Sequence, residues 1–172
     1  MVVPGAEATY DEVYAAHYSR VLRLCRLLLA DPHEAEEVGQ EVFLKLHRAL
    51  QPGAPSTAWG PWLTRVAVNA CRDRRRSGWW RWWREGGKPL DDGAVASAGT
   101  PEDEAVSRET RGRIWRGFQR LSRRQREVFV LRHLEGWSTA EVAEMLGMSV
   151  GSVKQHLFRA VRELRAVLGE QG

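Results

Sequence analysis

Residues 122–168 read SRRQREVFVLRHLEGWSTAEVAEMLGMSVGSVKQHLFRAVRELRAVL, a stretch dense in helix-start and turn signals. Ser138 stands ahead of an apolar-periodic run with Glu141 three residues on, the pattern of a capping box in which hydroxyl and carboxylate satisfy each other's orphan backbone donors. A helix is expected there, with Val142, Ala143 and Leu146 on its buried face. Gly147 follows and supplies the backbone freedom that a tight turn between helices demands. Ser149 can cap the next helix, along which Val153, Leu157, Val161, Leu164 and Leu168 recur at three- and four-residue steps as an inward stripe. The opposite face holds Gly151, Ser152, Lys154, Gln155, Phe158, Arg159 and Arg162. Small residues at the helix start let a phosphate approach, and Lys, Gln and Arg have the reach and donors for base edges in a major groove. The pattern is a helix-turn-helix facing duplex DNA. A plain helical hairpin with a solvated basic face is the rival, disfavoured by the spacing of Ala143, Gly147 and Val153 and by Phe158 on the polar side.

A chain of 172 residues allows two small domains. The net charge of +4 is mild, but its distribution is uneven. Arginines crowd at Arg72, Arg74, Arg75 and Arg76 and again from Arg111 to Arg126, whereas acids crowd at Glu34, Glu36, Glu37 and Glu41. Such separation implies one surface for nucleic acid and another for a protein. Cys25 and Cys71 lie far apart among apolar neighbours, so no disulfide framework is expected. With no CxxC, no paired-His helix and no acidic calcium loop, no metal or cofactor is expected either, and His17, His33, His47, His133 and His156 read as ordinary histidines. No carboxylate cluster, nucleophile–base pair or phosphate-cradling glycine loop points to an enzyme. The first residues lack a basic segment followed by an apolar run, and no later run is long enough to cross a bilayer; a cytoplasmic protein without membrane insertion is expected.

Upstream, Thr9 and Glu12 form another capping box, opening a helix with Val13, Tyr14, His17, Val21, Leu24, Cys25 and Leu28 inward. Asp31, Pro32 and Glu34 announce a second helix that buries Ala35, Val38, Val42, Phe43, Leu46 and Leu50 and shows Glu36, Glu37, Gln40, Glu41 and Lys45 outward. Gln51 to Gly60 has loop chemistry. A third helix follows with Trp62, Leu63, Val66, Ala67 and Ala70 inward and Arg65, Asn69, Arg72, Asp73 and Arg76 outward. From Ser77 to Glu104 periodicity is lost, which reads as a flexible linker. Its four tryptophans among arginines, Trp79, Trp80, Trp82 and Trp83, suit stacking on bases, a membrane interface or packing onto protein. Beyond it Arg111, Arg113, Arg116, Arg120, Arg123 and Arg124 form a cationic set around Ile114, Trp115, Phe118 and Leu121, and Val128 and Leu131 point inward from the helix after that. The expected fold is all-α, a three-helix bundle over residues 1–76, a linker over 77–104, and a four-helix domain over 105–172 containing the helix-turn-helix.

Three segments together carry a family resemblance. HEAEEVGQEVFLKLHRAL resembles region 2.2, WGPWLTRVAVNACRDRRR resembles regions 2.3 to 2.4, and the C-terminal stretch resembles region 4 of bacterial RNA polymerase sigma factors of the extracytoplasmic function (ECF) group, the minimal members of the sigma-70 family. The resemblance implies a protein that binds core RNA polymerase through Glu37, Gln40 and Glu41, recognises the minus-thirty-five and minus-ten promoter elements and promotes DNA melting for transcription initiation. Ser152, Lys154, Gln155, Phe158 and Arg159 would touch the minus-thirty-five duplex. Arg65, Asn69 and Arg72 would contact single-stranded DNA at the minus-ten element, with the Gln51–Gly60 loop holding a flipped base. A polar amide beside arginines suits an unstacked base edge, which a duplex hides. Trp62 is expected in the core, and Trp59 either wedges the duplex or packs. Gly39, Gln155 and His156 depart from the residues usual in the family, and an anti-sigma factor is implied as a further partner. The rival class is a stand-alone helix-turn-helix regulator, which would bind its promoter without polymerase.

Overall fold

Thr9 opens the first helix, α1 (Tyr10–Leu28): its backbone N–H donates to the Glu12 carboxylate at 2.9 Å while its Oγ1 accepts from the Glu12 N–H at 3.3 Å. Asp31 caps α2 (Pro32–Ala49), accepting from the N–H groups of His33 and Glu34, with Pro32 in the first turn where its missing N–H is harmless. The third helix, α3 (Trp59–Glu85), packs against both. The structure, a computed structural model, describes residues 8–29, 31–52, 57–85 and 101–169, with the helical backbone alone over 77–85 and 101–107. All secondary structure among the described residues is helical, and it forms two units, α1–α3 in one and the remaining helices in the other.

In the first unit Val13, Val21, Leu24, Cys25 and Leu28 of α1 meet Ala35, Val38, Val42, Phe43 and Leu46 of α2, all buried. Each such leucine contributes about 1.5–3 kcal/mol by leaving water. Five of the residues expected inward are not fully buried. Tyr14 is 36% exposed, lying on Tyr18 with ring centroids 4.8 Å apart and edge-on to Phe43, and His17 is only half-buried. Leu50 is half-buried. On α3, Trp62 and Val66 are half-buried, while Thr64, Val68 and Cys71 join Leu63, Ala67 and Ala70 inside. Thr64 can be interior because Arg20 donates to its hydroxyl at 2.8 Å, which removes the penalty of burying an unpaired polar group. Both cysteines are free thiols.

The helix of α3 does not stop at residue 76 but continues through Glu85, and α4 (Pro101–Arg120) begins ahead of 105. Loss of amphipathic periodicity does not by itself end a helix; Pro101 suits a helix start. Residues 86–100 of the expected linker lie outside the described residues.

In the second unit, α5 (Arg123–Phe129) opens on a capping box between Ser122 and Gln125 and runs into a π-helical turn, Val130–Leu134. Then come α6 (Thr139–Leu146) and α7 (Val150–Gly169). Phe118, Leu121, Val128, Val130, Leu131, Trp137, Val142, Ala143, Leu146, Val153, Ala160 and Leu164 make the core. On α7 the stripe is narrower than the periodicity suggests: Leu157 and Val161 are half-buried, Leu168 is exposed, and the small Ala160 is fully buried. Near its end α4 approaches α7 closely, since a Cβ built on Gly117 would sit 3.3 Å from both Leu164 and Val167. The cationic set around α4 and α5 is partly structural. Arg123 and Arg124 flank the buried Glu127 carboxylate at 3.5 and 3.1 Å, and Arg113 donates to the carbonyls of Val167 and Leu168 near the end of α7. Ile114 is exposed rather than enclosed.

Candidate nucleic-acid and protein interfaces

The turn between α6 and α7 fixes the reading helix. Ser138 and Glu141 close the capping box at 2.7 and 3.2 Å. Gly147 adopts φ 63° and ψ 43°, and the Met148 N–H reaches back to the Ala143 carbonyl at 3.0 Å, so the last carbonyls of α6 are satisfied by a left-handed glycine turn. Ser149 caps α7: its Oγ accepts from the Ser152 N–H at 3.1 Å and donates to the Ser152 hydroxyl at 2.9 Å. Beyond that cap Lys154, Gln155, Phe158, Arg159 and Arg162 are exposed along one face, whereas Ser152 is half-buried against its cap. Phe158 is 68% exposed, an apolar ring left in water beside two arginines. Val150, one row with Lys154 and Phe158, adds a second exposed apolar group that periodicity alone did not single out. Positive side chains, a helix N-terminus and an exposed ring are what a phosphate backbone and thymine methyl groups require.

Arg65 and Asn69 are exposed on α3 and Arg72 is half-buried, its Nε buried without a hydrogen bond. Steps of four and three residues put the three side chains on one face. Arg20 of α1 anchors the first turn of that helix: Nη1 donates to Thr64 Oγ1, Nη2 donates to the Gly60 carbonyl at 2.9 Å, and the Thr64 hydroxyl donates to the same carbonyl at 3.2 Å. His17 packs beside Gly60, and burial, helped by the Arg20 charge, holds its pKa below the ordinary histidine value. Trp59 and Trp62 meet edge to face at 5.4 Å, both half-buried, so Trp62 belongs to a surface aromatic pair rather than to the core. Within the expected base-holding loop, Trp59 and Gly60 are helical and residues 53–56 lie outside the described residues.

On α2, Glu37 is half-buried and Gln40 and Glu41 are exposed. Their steps of three and four residues place them on one face, and Leu44, 58% exposed, continues it. Arg74, which the sequence shows only as one of a crowd of arginines, reaches across from α3. Its Nη1 lies 2.7 Å from Glu37 Oε2 and its Nη2 lies 2.6 Å from Glu41 Oε1. The hydrogen bond to Glu37, more than any other cause, raises the Arg74 pKa above the usual arginine value against the opposing effect of burial. His33 Nδ1 stands 3.4 Å from the other oxygen of Glu37. Gly39 is buried, yet a Cβ there would meet Leu22 at an ordinary 3.7 Å, so packing does not demand a glycine. Among the described residues no cluster of side chains could hold a metal ion, and no helix is long and apolar enough to cross a membrane.

An acid face and an arginine–asparagine face on one helical unit, with a helix-turn-helix on the other, define a two-module transcription factor. The Sigma-70 region 2 model matches residues 13–81 and the Sigma-70 region 4 model matches residues 111–164. The chain is 31% identical over 167 residues to the ECF RNA polymerase sigma factor SigM of Mycobacterium tuberculosis, a match covering 97% of this chain and 81% of that protein. It is 35% identical over 170 residues to SigL of the same organism, covering 96% and 89%. Its fold is that of the sigma factor RpoE from Bartonella quintana, solved in complex with the anti-sigma factor NepR, with a TM-score of 0.68 at 18% identity over 95% of this chain and 98% of that one. The chain belongs to the ECF group of the sigma-70 family.

Proposed function

We propose that this sigma factor divides promoter recognition between its two helical units while mounted on core RNA polymerase. Glu37, Gln40 and Glu41 dock on a basic surface of the polymerase. Ser152, Lys154, Gln155, Phe158 and Arg159 grip the minus-thirty-five duplex, and Arg65, Asn69 and Arg72 hold the separated strand at the minus-ten element. The observation that carries this reading is the placement of Arg65 and Asn69 on one exposed face of a helix whose first turn Arg20 pins down. Capturing a base that leaves the stack shifts the melting equilibrium towards the open state, so the chain needs no covalent chemistry of its own. The segment between α3 and α4 tethers the two units, and the protein works in the cytoplasm beside the polymerase. The relative RpoE was solved with an anti-sigma factor, which supports a masking partner of that kind here.

Transcription in vitro with core enzyme and a promoter library tests the reading. Asn69→Ala should lower strand opening, followed by permanganate reactivity of unpaired thymines, while leaving duplex capture intact. If the chain bound its promoter duplex equally well without polymerase, it would be a stand-alone regulator instead.

A further inference from the structure

We propose that Arg74 is a positioning residue for the polymerase-docking face: from α3 it holds the Glu37 and Glu41 carboxylates in the pose that meets the basic partner. The proposal rests on the assignment of those acids to polymerase given above. One guanidinium fork takes one oxygen from each of two glutamates a helical turn apart, at 2.7 and 2.6 Å. The Arg74 side chain is only 24% exposed, whereas those of Glu37 and Glu41 are 45% and 50% exposed, so the cation sits behind and the anions in front. Like charges one turn apart repel, and long glutamates lose rotamer freedom when an interface orders them. A bridging cation offsets the repulsion and removes that freedom before the partner arrives. Lysine cannot replace it, since a compact ammonium lacks the fork that reaches two carboxylates at once. Because Arg74 and the strand-facing Arg65 and Asn69 share α3, the pose of the acids is tied to the helix that reads DNA.

The sign of the effect is decisive. If Arg74 acted only as a charge, its removal would make the face more acidic and tighten binding to a basic partner; positioning demands the reverse. The test is equilibrium binding of the full chain to core RNA polymerase at physiological salt, with thermal unfolding as the check on folding. Arg74→Met should weaken binding about tenfold, the scale set by the ordering of two side chains. Arg74→Lys should recover only part of that loss. In a Glu37→Gln/Glu41→Gln background, Arg74→Met should make no further difference, because its effect passes through the acids. Unchanged or tighter binding by Arg74→Met, or an equal loss in the glutamine background, overturns the proposal. Should Arg74→Met melt below the assay temperature, Arg74→Lys decides: weaker binding supports positioning and wild-type binding overturns it. If Glu37→Gln/Glu41→Gln itself binds like the wild type, the docking assignment fails and this proposal falls with it.

Discussion

On α2, Glu37 and Glu41 are already held by Arg74, whereas on α7 the side chains of Lys154, Gln155 and Arg159 have no hydrogen-bond or ion-pair partner among the described residues. The difference matches what each face is proposed to meet. A protein partner presents charges at fixed places, so acids ordered in advance lose less freedom on docking. Duplex DNA presents a regular run of phosphates with released counterions supplying much of the affinity, so long uncommitted cations can follow it. One face is thus built into its unit and the other is carried on it.

Three substitutions put this contrast to the test. Arg159→Ala should remove about 1–3 kcal/mol of affinity of the polymerase complex for its minus-thirty-five duplex, while the unfolding temperature of the chain stays put. A fall in stability of comparable size would show that α7 is as internally committed as α2. Gly147→Ala should cost about 1–2 kcal/mol of stability, since the residue sits in the left-handed region at φ 63°. Denaturant unfolding measures that loss, and duplex binding should fall with it because α7 is aimed by this turn. The smallest change is expected from Glu36→Gln, which breaks an exposed pair with Arg26 at 3.5 Å. An effect within about 0.5 kcal/mol, as exposed pairs usually give, would separate this acid from the pair that Arg74 holds.

The local chemistry of the helix-turn-helix was open to reading because it is written in adjacent residues. Ser138 with Glu141, Gly147 and Ser149 each act within a few positions of themselves, and the structure shows each in the expected role. The inward stripes depart from simple periodicity where burial depends on a distant partner. Thr64 is inside because Arg20, from another helix, satisfies a hydroxyl that composition alone would leave in solvent, and Trp62 is half out in an edge-to-face pair with Trp59. Likewise Arg72, Arg74, Arg75 and Arg76 look alike in the sequence, and only the packing of α3 on α2 turns Arg74 towards the glutamates. The exposed faces were easier: Lys154, Gln155, Phe158 and Arg159 on α7, and Arg65 and Asn69 on α3, all stand in solvent as their periodicity requires.

Cys25 and Cys71 are 0% and 1% exposed, and both lie in the α1–α3 unit. An alkylating reagent therefore reaches sulfur only when that half opens, and the rate of modification clocks its breathing without any signal from the other half. The same shielding leaves the folded protein ready for a single engineered thiol and fluorophore on α7, with the natural ones left in place.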